Sequence, residues 1–168
     1  MRSLLGQVQE RASSASGAGL PATAPTSKEI PYDYVARFLL TGVLGNRVQD
    51  VVNISVEGAF VAVTIGYSFI PAVVAGQSLP PSNDRAIDFK YSIVDSGSGR
   101  ELQNRPIHNI AGLGEPNGER PFRSLAKPML FMPRSTIRFE VEEASEVAAE
   151  LFIVLHGYKM LGYGTGLP

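Results

Sequence analysis

The stretch Lys127–Gly162, KPMLFMPRSTIRFEVEEASEVAAELFIVLHGYKMLG, decides the fold class of this chain. From Ser135 to Glu142 the residues alternate: Ile137, Phe139 and Val141 point one way, and Thr136, Arg138, Glu140 and Glu142 the other. Successive side chains of a strand fall on opposite faces, so this is a ribbon with one dry face and one charged face. After a break at Glu143 to Ala149, the run ELFIVLH (Glu150 to His156) reads as a second strand, apolar on both faces and therefore central in its sheet. Two such strands belong to a packed antiparallel β domain.

Working back toward the N-terminus, the same period recurs. Tyr32 to Leu40, Val48 to Val56, Ala59 to Phe69 and Ile87 to Val94 read as strands, and Glu57-Gly58 marks a turn between the second and third. Pro71 to Asp84 reads as a long loop, Asp95 to Gly99 as a turn and Arg100 to Gln103 as a short return strand. Asn104 to Leu125 is rich in Gly and Pro and reads as the longest irregular segment. Lys127 to Met132 adds a strand before the closing two. The body holds no readable helix. These observations predict an all-β fold, an antiparallel jelly-roll or Greek-key sandwich over residues 31–168, in which two sheets bury their apolar faces against each other.

Residues 1–30 differ. Leu4, Leu5 and Val8 share one face of a helix too short to hold together alone in water. Arg11 to Ser27, RASSASGAGLPATAPTS, has fifteen of seventeen residues drawn from Ala, Ser, Gly, Thr and Pro. It cannot bury enough apolar area to offset its ordering entropy, so its order must come from another surface. Residues 1–30 are therefore expected to form an extended arm lying against another chain, with Leu4, Leu5, Val8, Leu20, Pro21 and Ile30 as its anchors. Fully extended, seventeen residues reach about 55 Å, enough to cross a neighbouring subunit.

Composition narrows the function classes. The chain has 168 residues, one domain by length, and no cysteine, which removes disulfides and thiolate chemistry. Fifteen basic and sixteen acidic residues leave a formal charge of −1, so no global field draws it to nucleic acid. Charged residues are 18% of the chain, below the roughly 25% usual for soluble domains, which suggests a surface partly covered by partners. The longest apolar-leaning stretch, Ala59 to Val74, is interrupted by Thr64, Gly66, Ser68 and Pro71. The start of the chain lacks the apolar core of a signal peptide. Cytoplasmic synthesis, with no membrane partner, is the expectation. The Asn53-Ile54-Ser55 sequon then reads as coincidence.

No constellation of reactive residues appears. His108 and His156 stand far apart without a local ligand set, so no metal and no cofactor is expected. Glu140, Glu142, Glu143, Glu146 and Glu150 read as a charged outer face rather than an acid pair. Gly112 to Gly118 begins like a phosphate loop, but Pro116 interrupts it and no Gly-Lys-Ser/Thr follows. Arg100, Arg105, Arg120, Arg123 and Lys127 are diluted by Glu101, Glu115 and Glu119, which fits a polar protein–protein rim better than a nucleic-acid track. No catalytic residues are expected.

The layout resembles the small jelly-roll virion proteins of tailed bacteriophages, the capsid decoration, cement or collar components. Three parts carry the resemblance: Arg47 to Tyr67, Ile87 to Ile107, and Leu125 to Gly162. Within them stand an Asp-x-Gly-Arg-like turn (Asp95 to Arg100), a Pro-flanked apolar edge (Lys127 to Pro133) and a closing strand ending near Gly-Tyr-Lys (Leu155 to Lys159). The resemblance implies a non-enzymatic virion protein that decorates or cements an assembled capsid. Its partners would be the major capsid protein or other virion proteins, and it would form a homo-oligomer, a dimer or trimer. A neck, collar or tail protein of the same fold is one alternative. A carbohydrate-binding jelly roll is another, disfavoured because the chain has no tryptophan.

Overall fold

The computed structural model describes residues 28–72, 87–116, 118 and 120–162. Nine strands and one short helix follow in order: β1 (Lys28–Thr41), β2 (Arg47–Asn53), β3 (Gly58–Pro71), β4 (Phe89–Asp95), β5 (Arg100–Glu101), β6 (Ile107–His108), α1 (Asn109–Leu113), β7 (Phe122–Phe131), β8 (Thr136–Glu143) and β9 (Ala148–Leu161). The first sheet runs β1-β9-β3-β7. The second runs β2-β8-β4-β5, with β6 also pairing β4.

The pairing is nested. β1 pairs with β9, β2 with β8, β3 with β7, and β4 with the short β5 and β6, all antiparallel. A chain doubled back on itself in this way and then rolled so that β9 also meets β3, and β8 meets β4, is a jelly roll. The all-β sandwich is thus the architecture that the alternation predicts.

The alternating positions supply the core. Tyr34, Ala36, Phe38 and Leu40 from β1, and Leu151, Ile153 and Leu155 from β9, face Phe89, Tyr91 and Ile93 from β4. Ile137, Phe139 and Val141, the expected dry face of β8, are 0–1% exposed. β9 is central as its run of apolar residues implies, flanked along its length by β1 and β3. β8 and β9, although consecutive, lie in different sheets, because the turn between them crosses the sandwich.

Two sequence expectations need correction. The segment Asn104 to Leu125 is not all irregular, and the body does contain a helix, α1. Its reason is a single buried amide. Asn109 Oδ1 accepts from the Phe89 N–H (3.3 Å), while Nδ2 donates to Tyr67 Oη (3.0 Å) and to the Ile87 carbonyl (2.9 Å). One side chain thereby joins α1 to both sheets. Gly112 follows because Tyr91 occupies its side-chain space: a Cβ there would lie 2.2 Å from Tyr91 Oη. A helix of five residues is too short to show a period in sequence.

The second correction concerns Glu143, which belongs to the interior and not to the charged outer face. It is 2% exposed. Its carboxylate accepts from the N–H groups of Thr41 (3.0 Å), Gly42 (2.7 Å) and Val43 (3.2 Å), from Thr41 Oγ1 (3.2 Å) and from Asn46 Nδ2 (2.7 Å). Its backbone adds Glu143 N–H to Asn46 O and Gly45 N–H to Glu143 O, both 2.8 Å. The link from β1 to β2 is therefore wrapped around one carboxylate, with Gly42 at φ 76° permitting the bend. Burial alone would push this carboxyl up. The donors, Thr41 and Asn46 foremost, outweigh it and hold its pKa below the ordinary value.

Asn109→Leu should lower the unfolding free energy by about 3 kcal/mol in urea titration, because it leaves buried partners unsatisfied. Glu143→Gln should cost about 2 kcal/mol near neutrality. The folded carboxyl titrates below the unfolded one, so its contribution is complete above the unfolded pKa and is lost as pH falls through the folded value. The gap between wild type and Glu143→Gln should therefore shrink on acidification from about pH 6 to about pH 3.

Candidate assembly surface

The outward residues of the two sheets are unlike. On the second sheet, Glu142 bridges Arg47 (2.7 Å) and Lys90 (3.0 Å), and Arg138 Nε lies 3.0 Å from Glu140 Oε1. Arg47, Lys90, Glu140 and Glu142 border an open groove of about 280 Å³ that includes Gln49, Ser92 and Pro106. The Lys90 and Arg47 contacts hold the Glu142 carboxyl below its ordinary pKa, which keeps it ionised near neutrality and unsuited to donating a proton. This face is solvated and charge-compensated.

The first sheet presents the opposite character. Its outward residues form rows across the strands, read from the register. The first row is Asp33, His156, Thr64 and Ser124. The second is Val35, Val154, Gly66 and Phe122. The third is Arg37, Phe152 and Ser68, and the fourth Leu39, Glu150 and Ile70. Val35, Leu39, Ile70 and Phe122 are 48–66% exposed. Phe152 and Val154 are half-buried by their neighbours. The charged groups among them are paired: Arg37 Nε bonds Glu150 Oε1, and His156 Nδ1 lies 3.0 Å from Asp33 Oδ1. The result is an apolar surface with its charges held at defined places. Gly66 gives Phe122 room to lie against β3, since a Cβ would meet the Phe122 Cβ at 3.2 Å.

The sequence-derived anchors fall partly here. Leu4, Leu5, Val8, Leu20 and Pro21 lie outside the described residues. Ile30 lies in β1 opposite Lys159 and is half-buried. The start of β1 is fastened by Lys159, 5% exposed, whose ammonium sits 3.6 Å from the centroid of the Tyr32 ring and 4.0 Å from Glu57 Oε2.

The remaining candidates have structural partners. Glu140 and Glu142 lie on the second sheet's outer face, Glu150 on the first, and Glu146 is exposed in the turn. His156 lies in β9 with Nδ1 3.0 Å from Asp33 Oδ1, and His108 Nε2 lies 3.7 Å from Asp88 Oδ1. Among the described residues no three His, Asp or Glu converge to hold a metal. Arg123 donates to the carbonyls of Ala111 (2.5 Å) and Gly112 (3.4 Å), latching β7 to α1. Among the described residues no helix is long and apolar enough to cross a membrane.

No family model matches the chain, and no curated protein matches its sequence. Among solved structures it is similar to VP2 of infectious bursal disease virus, seen in its subviral particle, with 12% identity and a TM-score of 0.32. That overlap covers 85% of this chain and 42% of VP2, so the chain spans less than half of the viral protein. It is also similar to a chain of Desmodium yellow mottle tymovirus, with 11% identity and a TM-score of 0.24, covering 83% of this chain and 96% of that one. Both neighbours are viral. Overlaps this loose carry nothing about what this chain binds, and the jelly roll rests on its own strand order.

Because Leu39 faces outward, Leu39→Lys should leave the unfolding free energy within about 0.5 kcal/mol of wild type while reducing fluorescence of a bound hydrophobic dye. Phe38→Ala, one residue away and 2% exposed, should cost about 3–5 kcal/mol by urea titration.

Proposed function

We propose that this chain is a non-enzymatic structural protein of a virus particle, of the decoration or cement kind found on tailed phages. It seats its jelly roll on an assembled shell as a small oligomer and ties neighbouring subunits with the arm of residues 1–30. The observation that carries this reading is the contrast between the two faces. Among the described residues the second sheet's outer face carries ion pairs and one well-exposed large apolar side chain, Val51, whereas the first leaves Val35, Leu39, Ile70 and Phe122 exposed. An apolar face that carries its charges as the pairs Arg37–Glu150 and Asp33–His156 is what a subunit that docks on other protein presents.

The mechanism is passive. Ordering the arm costs about 1–2 kcal/mol per residue of backbone, so its hold comes from the few apolar anchors Leu4, Leu5, Val8, Leu20, Pro21 and Ile30. An arm crossing a subunit boundary means that separation must break two contacts at once. Many copies then make individually weak contacts effective. The jelly roll anchors the arm's root through Ile30, Tyr32 and Lys159, so tension on the arm is delivered to a fourteen-residue strand.

A chain beginning at Lys28 should keep its melting temperature within about 2 °C of the full chain. It should no longer cosediment with shells assembled from the particle's own major capsid protein. Equal binding by the two forms would overturn the arm's role. Copies confined to a single ring by electron microscopy would move the protein to the neck or tail.

A further inference from the structure

The outer face of the first sheet matches its own image. Its middle row, Val35 to Phe122, is apolar, and the rows on either side carry opposite charges, Asp33 before it and Arg37 after it. We propose that this face binds a second copy of the chain about a two-fold axis lying along that middle row, with the strands of the two copies antiparallel. The inference names the partner of the assembly face on which the proposed function rests.

Rotation about the row returns the row to itself, so Val35, Val154 and Phe122 meet their own counterparts. The same rotation exchanges the two flanking rows and brings Asp33 of each copy over Arg37 of the other. Both lie one row, about 7 Å, from the axis, and side chains of these lengths meet across it. Arg37 already holds Glu150, so the contact would place one guanidinium between two carboxylates.

Other placements fail on charge. An axis along the Arg37 row sets Arg37 against Arg37. An axis midway between the two rows buries Val35 under Arg37. An axis parallel to the strands along β9 carries Asp33 over Thr64 and Arg37 over Ser68, so that neither charge is met. An isologous interface must be self-complementary, and among these registers the Val35 row pairs apolar with apolar and acid with base.

Addition of a strand at the β1 edge is hindered at three positions. The Arg37 N–H is occupied by Asp50 Oδ2 (2.9 Å), the Thr41 N–H by Glu143 Oε1 (3.0 Å), and Pro31 has none. The rows span about 20 Å by 15 Å, roughly 300 Å² on each copy, below the usual size of a stable specific interface, so association should be weak, in the micromolar range.

Sedimentation equilibrium of the full chain tests this, without any shell present. Wild type should show a monomer–dimer equilibrium. Asp33→Arg and Arg37→Asp alone should each raise the dissociation constant on the order of tenfold, and the double exchange should restore it to within about threefold. Val35→Glu, at an exposed position, supplies a second disruption, and urea midpoints confirm that each variant is folded. A wild-type chain that stays monomeric at about 100 µM overturns the proposal. So does a double exchange that fails to restore pairing. Dimerisation only after removal of residues 1–27 would overturn it too, by assigning the face to the arm. Shell binding is read separately: a dimer that binds no shell contradicts the proposed function alone, and a monomer that binds shells contradicts the dimer alone.

Discussion

The pairing of the first described strand with the last holds this structure together. β1 and β9 run antiparallel over fourteen register positions, from Lys28 opposite Leu161 to Thr41 opposite Ala148. Contacts between chain ends are the most expensive to form in loop entropy, so they must be secured by extensive burial. Here they are. The even residues of β1 and the odd residues of β9 enter the same core, and β9 takes β3 on its other side. The inner pairs β2 with β8 and β3 with β7 close progressively shorter loops within that outer pair.

The sandwich so formed is stitched at a few polar points. Glu143 gathers the link between β1 and β2, Asn109 joins a short helix to both sheets, and Lys159 stacks on Tyr32 near the start of β1. Each is a buried polar group whose partners come from different parts of the chain. Such groups are costly when unpaired and so favour one arrangement over others. They also leave the reactive side chains occupied. Among the described residues, Glu142, Glu143, Glu150 and His156 each contact a group on another strand or loop.

The two faces divide the remaining work. Ion pairs on the second sheet satisfy one another in water, where each pair contributes little to stability. The first sheet exposes apolar side chains in ordered rows, which gains nothing for an isolated molecule. That asymmetry is what makes an assembly role the economical account of the chain. It also accounts for the apolar residues Phe152 and Val154 on the outward side of β9.

Local pattern by itself determined the strand character of most of the chain, the dry face of β8, and the central place of β9. It also determined that Arg11 to Ser27 lacks the apolar content to order itself. These are consequences of side-chain period and composition, which need no knowledge of partners. Glu143 was legible in principle, since it shares the parity of Ile137, Phe139 and Val141, but its charge placed it with the outer face until the donors of Thr41 to Asn46 were seen around it. Tertiary structure alone decided that β8 and β9 belong to opposite sheets, that α1 forms at all, and that the apolar outer side of β9 stays open. Pairing depends on which distant strand arrives alongside, and exposure depends on what covers a face. A sequence pattern with a period of two residues specifies that a strand has two faces, but not what lies against each of them.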